Sequence, residues 1–69
     1  MNNFRKDCEA AINKYNQVKE TCYINLQKIG DSETDTYLKE MYYNLINDCN
    51  RSINEINNFL DSVENYVII

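Results

Sequence analysis

The side chains of this 69-residue chain best able to do chemistry are three cysteines, Cys8, Cys22 and Cys49, and six tyrosines. A thiolate is a nucleophile and a metal ligand, but only where a neighbouring cation or a helix N-terminus lowers its pKa. No histidine is present, which removes Cys-His and Ser-His pairs and the ordinary imidazole base. The cysteine spacings fit no zinc pattern, and an odd number cannot pair off completely. Small buried hydrophobes in a reducing compartment is the reading that remains. Asp31-x-Glu33-x-Asp35 spaces carboxylates as a calcium loop begins, but the glycine at its sixth position and the closing glutamate are missing. Helix capping accounts for those acids better. A single glycine cannot build a phosphate-cradling loop, and the Glu-x-x-His pattern of di-iron bundles is absent. The chain is expected not to be an enzyme, with no catalytic residue, cofactor, metal or small-molecule substrate.

The elements that position these residues are set by one stretch, Lys-Ile-Gly-Asp-Ser-Glu-Thr-Asp from Lys28 to Asp35, which holds the only glycine of a chain without proline. Gly30 can end a helix in the left-handed conformation at no Cβ penalty. Ser32 to Asp35 reads as a capping box with Asp in place of Glu. The spacing predicts a turn over 30–32 between a first helix over about 3–29 and a second over about 33–67, within a single helical domain, 1–69.

Both arms carry apolar residues at steps of three and four, the signature of a heptad seam rather than of a strand. In the first arm the seam runs Met1, Phe4, Cys8, Ala11, Tyr15, Val18, Cys22, Asn25 and Ile29, widened on one flank by Ile12 and Leu26. In the second it runs Leu38, Tyr42, Leu45, Cys49, Ser52, Ile56, Phe59, Val63 and Tyr66, with a parallel row of Ile46, Ile53, Leu60 and Val67. Twelve asparagines are poor helix formers, so packing must supply the stability.

Folding back about Ser32 pairs residues whose numbers total roughly 64. No two cysteines then face each other, and no intrachain disulfide is expected. A double apolar row touches two neighbours, and the tail Tyr66-Val67-Ile68-Ile69 outruns the first helix. The fold class expected is therefore all-α: an antiparallel two-helix hairpin dimerising into a four-helix bundle, with Ile46, Ile53, Leu60 and Val67 as the oligomer interface. The alternative is a three-helix bundle broken near 47–50, where Asn47-Asp48-Cys49-Asn50 is the weakest helical sequence.

Net charge is −4, divided as +2 over residues 1–30 and −6 over residues 31–69. An acidic chain lacks the electrostatic footprint of a nucleic-acid binder. The N-terminal Met-Asn-Asn-Phe-Arg-Lys-Asp has no apolar run of a secretory signal, and no stretch is long enough to span a bilayer. A cytoplasmic protein with no nucleic-acid or membrane partner is expected. Tyr15, Tyr42 and Tyr66 belong to the seam. Tyr23, Tyr37 and Tyr43 lie off it and, with Met41, are expected to cluster near the turn as a protein-docking surface, since tyrosine brings contact area with little entropy to lose. Val67, Ile68 and Ile69 form a second candidate contact.

A short helical hairpin resembles the WXG100 proteins of type VII secretion in architecture. That family carries Trp-x-Gly at its turn; Lys28, Ile29 and Gly30 stand there in this chain, so the glycine alone matches, and the chain is shorter than the family's usual length. The resemblance covers the hairpin shape only, and it implies an adaptor or chaperone for a larger helical client. Composition points elsewhere. A small, acidic, cofactor-free chain with an Asn, Tyr, Ile and Lys bias fits a regulator or inhibitor encoded by a phage or mobile element, acting through a protein partner. A purely structural oligomer is the third reading.

Overall fold

Two helices make up the chain in a computed structural model, which describes residues 3–68, with side chains described from Asn3 to Glu64. Helix α1 spans Phe4–Lys28 and helix α2 spans Glu33–Ile68, and they pack against each other as an all-α hairpin. Helix α2 passes through Asn47-Asp48-Cys49-Asn50 without interruption, so the three-helix alternative is not adopted. Among the described residues no helix is long and apolar enough to cross a membrane.

The turn is built from local hydrogen bonds. The Asp35 amide donates to Ser32 Oγ at 3.1 Å, and the Ser32 amide donates to Asp35 Oδ2 at 3.3 Å. This reciprocal pair satisfies two of the amides that a helix start leaves without intrahelical partners. Thr36 adds its amide and its hydroxyl to the Ser32 carbonyl, at 2.9 and 3.1 Å. Helix α1 ends on Ile29, in extended backbone (φ −85°, ψ 137°), whose amide donates to the Leu26 carbonyl at 3.4 Å. Lys28 lies in the last turn of α1 and Asp35 in the first turn of α2, each at the favourable end of its helix dipole.

Gly30 is at this turn for a different reason from the one expected. Its φ is not positive, so the left-handed conformation is not used. A Cβ at position 30 would instead stand 3.0 Å from Asp35 Oδ2, the oxygen that closes the capping box. Glycine leaves room for that carboxylate.

The interface between the helices is narrow. Cys22 on α1 and Ile46, Cys49 and Leu60 on α2 are the buried hydrophobic residues among those described. Phe4, Cys8, Ala11, Tyr15, Val18, Asn25 and Ile29 are half-buried, as the α1 seam requires, and so are the flanking Ile12 and Leu26. Helix α2 departs from its expected seam. Tyr42, Cys49, Ile56 and Val63 face inward, but Leu38, Leu45 and Phe59 are exposed, while Ile46 and Leu60 are buried and Ile53 is half-buried. The inward face is therefore Tyr42, Ile46, Cys49, Ile53, Ile56, Leu60 and Val63, a strict alternation of four and three. Ile46, Ile53 and Leu60, the row assigned to a second copy, instead belong to the hairpin's own interior. The physical reason is that the rows 38/45/52/59 and 39/46/53/60 flank the column 42/49/56/63 symmetrically. The row taken in has aliphatic residues through the middle of the helix; the row left out has Ser52 there. Lys39, at the turn end of the inner row, escapes burial by reaching Asp31 Oδ1 at 3.1 Å.

At the open end the rings of Phe4 and Phe59 meet edge to face, with centroids 6.2 Å apart and planes at 82°. Helix α2 has 36 residues against 25 for α1, so it is about 16 Å longer at 1.5 Å per residue. The expected contact residues Val67, Ile68 and Ile69, and the seam positions Met1 and Tyr66, lie outside the residues whose side chains are described.

Candidate functional site

Helical spacing and burial divide the hairpin surface into two faces. On one face, two adjoining hollows of about 360 and 280 Å³ share Lys14 and Val18, the larger at the helix boundary and the smaller on α1. The larger is bounded by Gln17, Thr21 and Cys22 from α1 and by Tyr42 and Leu45 from α2; Ala11 and Tyr15 close the smaller. The hollows exist because α1 offers short side chains here (Ala11, Thr21) while Leu45 stands on the outer row of α2. Leu38 and Phe59 continue that row towards the two ends of the hairpin, also exposed.

The opposite face holds two of the four residues expected to cluster. Tyr23 is two positions from Thr21, and Tyr43 is two positions from Leu45; two residues turn a helix by about 200°, which takes both tyrosines to the far side from the hollows. They stand at nearly the same height, because the Asn25 side-chain amide donates to the Tyr42 hydroxyl at 3.3 Å and fixes the pairing of the two helices there. Tyr37 and Met41 are separate from them. Met41 is two positions from Tyr43, so it points the other way, onto the side of Leu45 four residues further on, while Tyr37, four before Met41, lies further round the outside of α2. All four are exposed, Tyr37 and Met41 most, at 65% each. The expected single cluster is thus two pairs: Tyr23 with Tyr43, and Tyr37 with Met41.

Asn25 is the residue whose role the sequence pattern concealed. It interrupts the apolar seam of α1 and reads there as a defect for which Leu26 compensates. In the structure it is half-buried and bonded across the interface. An amide at a seam position that finds one partner fixes the register of two helices, because sliding either helix strands it. The signal was present: an isolated Asn in a seam, with a seam tyrosine within about a turn of its height on the other arm.

The thiols are all free; Cys22 and Cys49 are buried and Cys8 is half-buried. Burial, and after it the proximity of Cys49, pushes the Cys22 thiol above its ordinary value of 9.0. A thiol held protonated in this way is a poor nucleophile. Although the sequence register places no two cysteines face to face, Cys49 is close enough to Cys22 to contribute to that rise. No group of three or more Cys, Asp or Glu among the described residues could hold a metal ion. Charged contacts are peripheral: Arg5 pairs with Glu64 across the open end and with Glu9 at 3.8 Å, and Arg51 donates to Asp48 at 2.8 Å, all on exposed side chains.

No protein-family model matches the chain, and no curated protein or solved structure matches it.

Proposed function

We propose that this chain is a non-enzymatic helical protein that works by docking on another protein, as a regulator or inhibitor of that partner. The observation supporting this is the ratio of open to closed apolar surface. Among the described residues eight large hydrophobic side chains are exposed, twice as many as the hydrophobic residues that are buried. Isolated surface apolar residues need no explanation, whereas apolar pairs and rows on a small protein mark contact sites. Tyr37 and Met41 are the first candidates, with Tyr23 and Tyr43 as a second contact on the opposite face. The free thiols and the acidic balance fit a cytoplasmic protein with no nucleic-acid partner. Origin in a phage or mobile element is a compositional proposal and rests on nothing in the fold.

The test is recovery of a partner from the native host with a tagged chain, followed by reconstitution of the complex from purified components. The expected result is saturable binding that weakens about thirtyfold or more when Tyr37 and Met41 are both replaced by serine, the loss that removing a genuine hot spot produces. A native chain that retains no protein under these conditions would overturn the reading. A partner that is a larger helical protein of a secretion system would favour the adaptor role implied by the WXG100-like shape.

A further inference from the structure

We propose that the face bearing the two hollows is covered by a second copy of this chain, with α1 of each copy lying over α2 of the other and both turns at the same end. This goes beyond the partner reading and does not depend on it.

Area comes first. The hairpin measures 56 × 17 × 11 Å, a flat slab with one broad side lined by the hollows and by Leu38, Leu45 and Phe59. Over the length of α1, about 38 Å at 1.5 Å per residue, that side is 17 Å wide, a footprint of about 640 Å² per copy or roughly 1,300 Å² for a pair, of the order that a specific interface needs. The former candidate row of Ile46, Ile53 and Leu60 cannot serve, because α1 already occupies it.

Charge chooses the arrangement. Two hairpins stacked broad side to broad side can be related by a twofold axis along their length or across it. The axis across places α1 on α1 and α2 on α2. The axis along places α1 on α2 twice. Helix α1 carries a net +2 and helix α2 a net −5, so the second arrangement joins opposite charges and the first opposes the two acidic helices. The contacts Asn25–Tyr42 and Phe4–Phe59 give the height of each residue along the hairpin. By that scale Lys14, on the rim of both hollows, comes level with the stretch between Asp48 and Glu55 of the partner subunit, which flank the same outer row of α2; Asp48 there is held by Arg51 of its own helix at 2.8 Å, so the pairing with Lys14 falls to Glu55. Leu45 of the partner subunit comes level with the hollow between Val18 and Thr21. Each copy thus fills the depression that the other presents, twice over by symmetry.

Sedimentation equilibrium on the full chain tests this. The expected wild-type mass is twice 8.2 kDa, with a helical circular-dichroism spectrum. Leu45→Asp is expected to keep the helical spectrum and raise the dimer dissociation constant about thirtyfold or more. Lys14→Glu should weaken the dimer, and combining it with Glu55→Lys should restore it, a rescue that does not rely on the leucine variant folding. Tyr43→Asp, on the opposite face, should leave the mass unchanged. A wild-type chain that is monomeric at high micromolar concentration overturns the proposal. So does a dimer that Tyr43→Asp disrupts and the Lys14 reversal leaves intact. A dimer that captures no foreign partner supports this inference while defeating the docking function; a monomer that captures one does the reverse.

Discussion

Two flanks of the same helix differ in what they meet. The row through Ile46, Ile53 and Leu60 is enclosed by α1, and the row through Leu38, Leu45 and Phe59, one residue earlier at each step, is left in the open. Their apolar content is similar: the inner row has three aliphatic residues and one lysine, the outer row two leucines, a phenylalanine and a serine. The difference teaches that a two-helix hairpin can use only one side of a broad stripe. The other side becomes a contact surface by geometry, whatever else selects it. Helix α1 makes the same point from the opposite direction, since its narrower seam is half-covered along its length and leaves hollows where its flank turns small.

Substitutions that treat the two rows alike should give unlike results. Leu60→Ala is expected to cost about 2–4 kcal/mol in urea unfolding at any protein concentration, since it opens a cavity against α1. Leu38→Ala should cost less than about 1 kcal/mol in dilute solution and more as concentration rises, if this row joins two copies. Equal costs in dilute solution would erase the distinction.

Next in size is the polar link that sets the register. Tyr42→Phe removes the acceptor of the Asn25 amide and should cost about 1 kcal/mol. Asn25→Leu combined with Tyr42→Phe should recover most of that loss, because neither side then holds a stranded polar group. A double variant that is simply the sum of its two parts would show that the bond fixes nothing.

The turn offers a comparison of its own. Ser32→Ala should cost about 1 kcal/mol by removing half of the capping box. Gly30→Ala should cost less, because φ is not positive there and the Asp35 carboxylate, which a new Cβ would meet, ends a side chain that can move. A Gly30→Ala loss larger than that of Ser32→Ala would point to a conformational demand for glycine.

The smallest effect expected is a pH dependence. The raised pKa of Cys22 means that the folded chain holds its proton more tightly than the unfolded chain does. The resulting stability is complete below the unfolded thiol's pKa near 9 and is lost as pH rises through the folded value. Urea midpoints should therefore fall above about pH 9 in the wild type and fall less in Cys22→Ala. Parallel profiles would place the effect elsewhere.

What the sequence disclosed divides along the same lines. The capping box, the α1 seam and both helix spans to within about two residues were legible, because they depend on neighbours in the chain. The rotation of α2 was not. Columns 38/45/52/59 and 39/46/53/60 satisfy one periodicity equally, and only the position of α1 chooses between them. For the same reason the exposure of Tyr23, Tyr37, Met41 and Tyr43 could be anticipated, while their separation into two pairs required the rotation about the helix axis to be followed. Asn25 was read by its own polarity rather than with Tyr42, its partner seventeen residues away.

The rotation of α2 can be tested on two adjacent residues, with each variant followed by circular dichroism through a thermal melt in dilute solution. Ile46→Asp should abolish the cooperative helical melt, by placing a carboxylate where α1 excludes water. Leu45→Asp, one position away, should retain it. If Leu45→Asp unfolds the chain and Ile46→Asp leaves it helical, α2 faces α1 with its other flank, and the assignment of inner and outer rows is wrong.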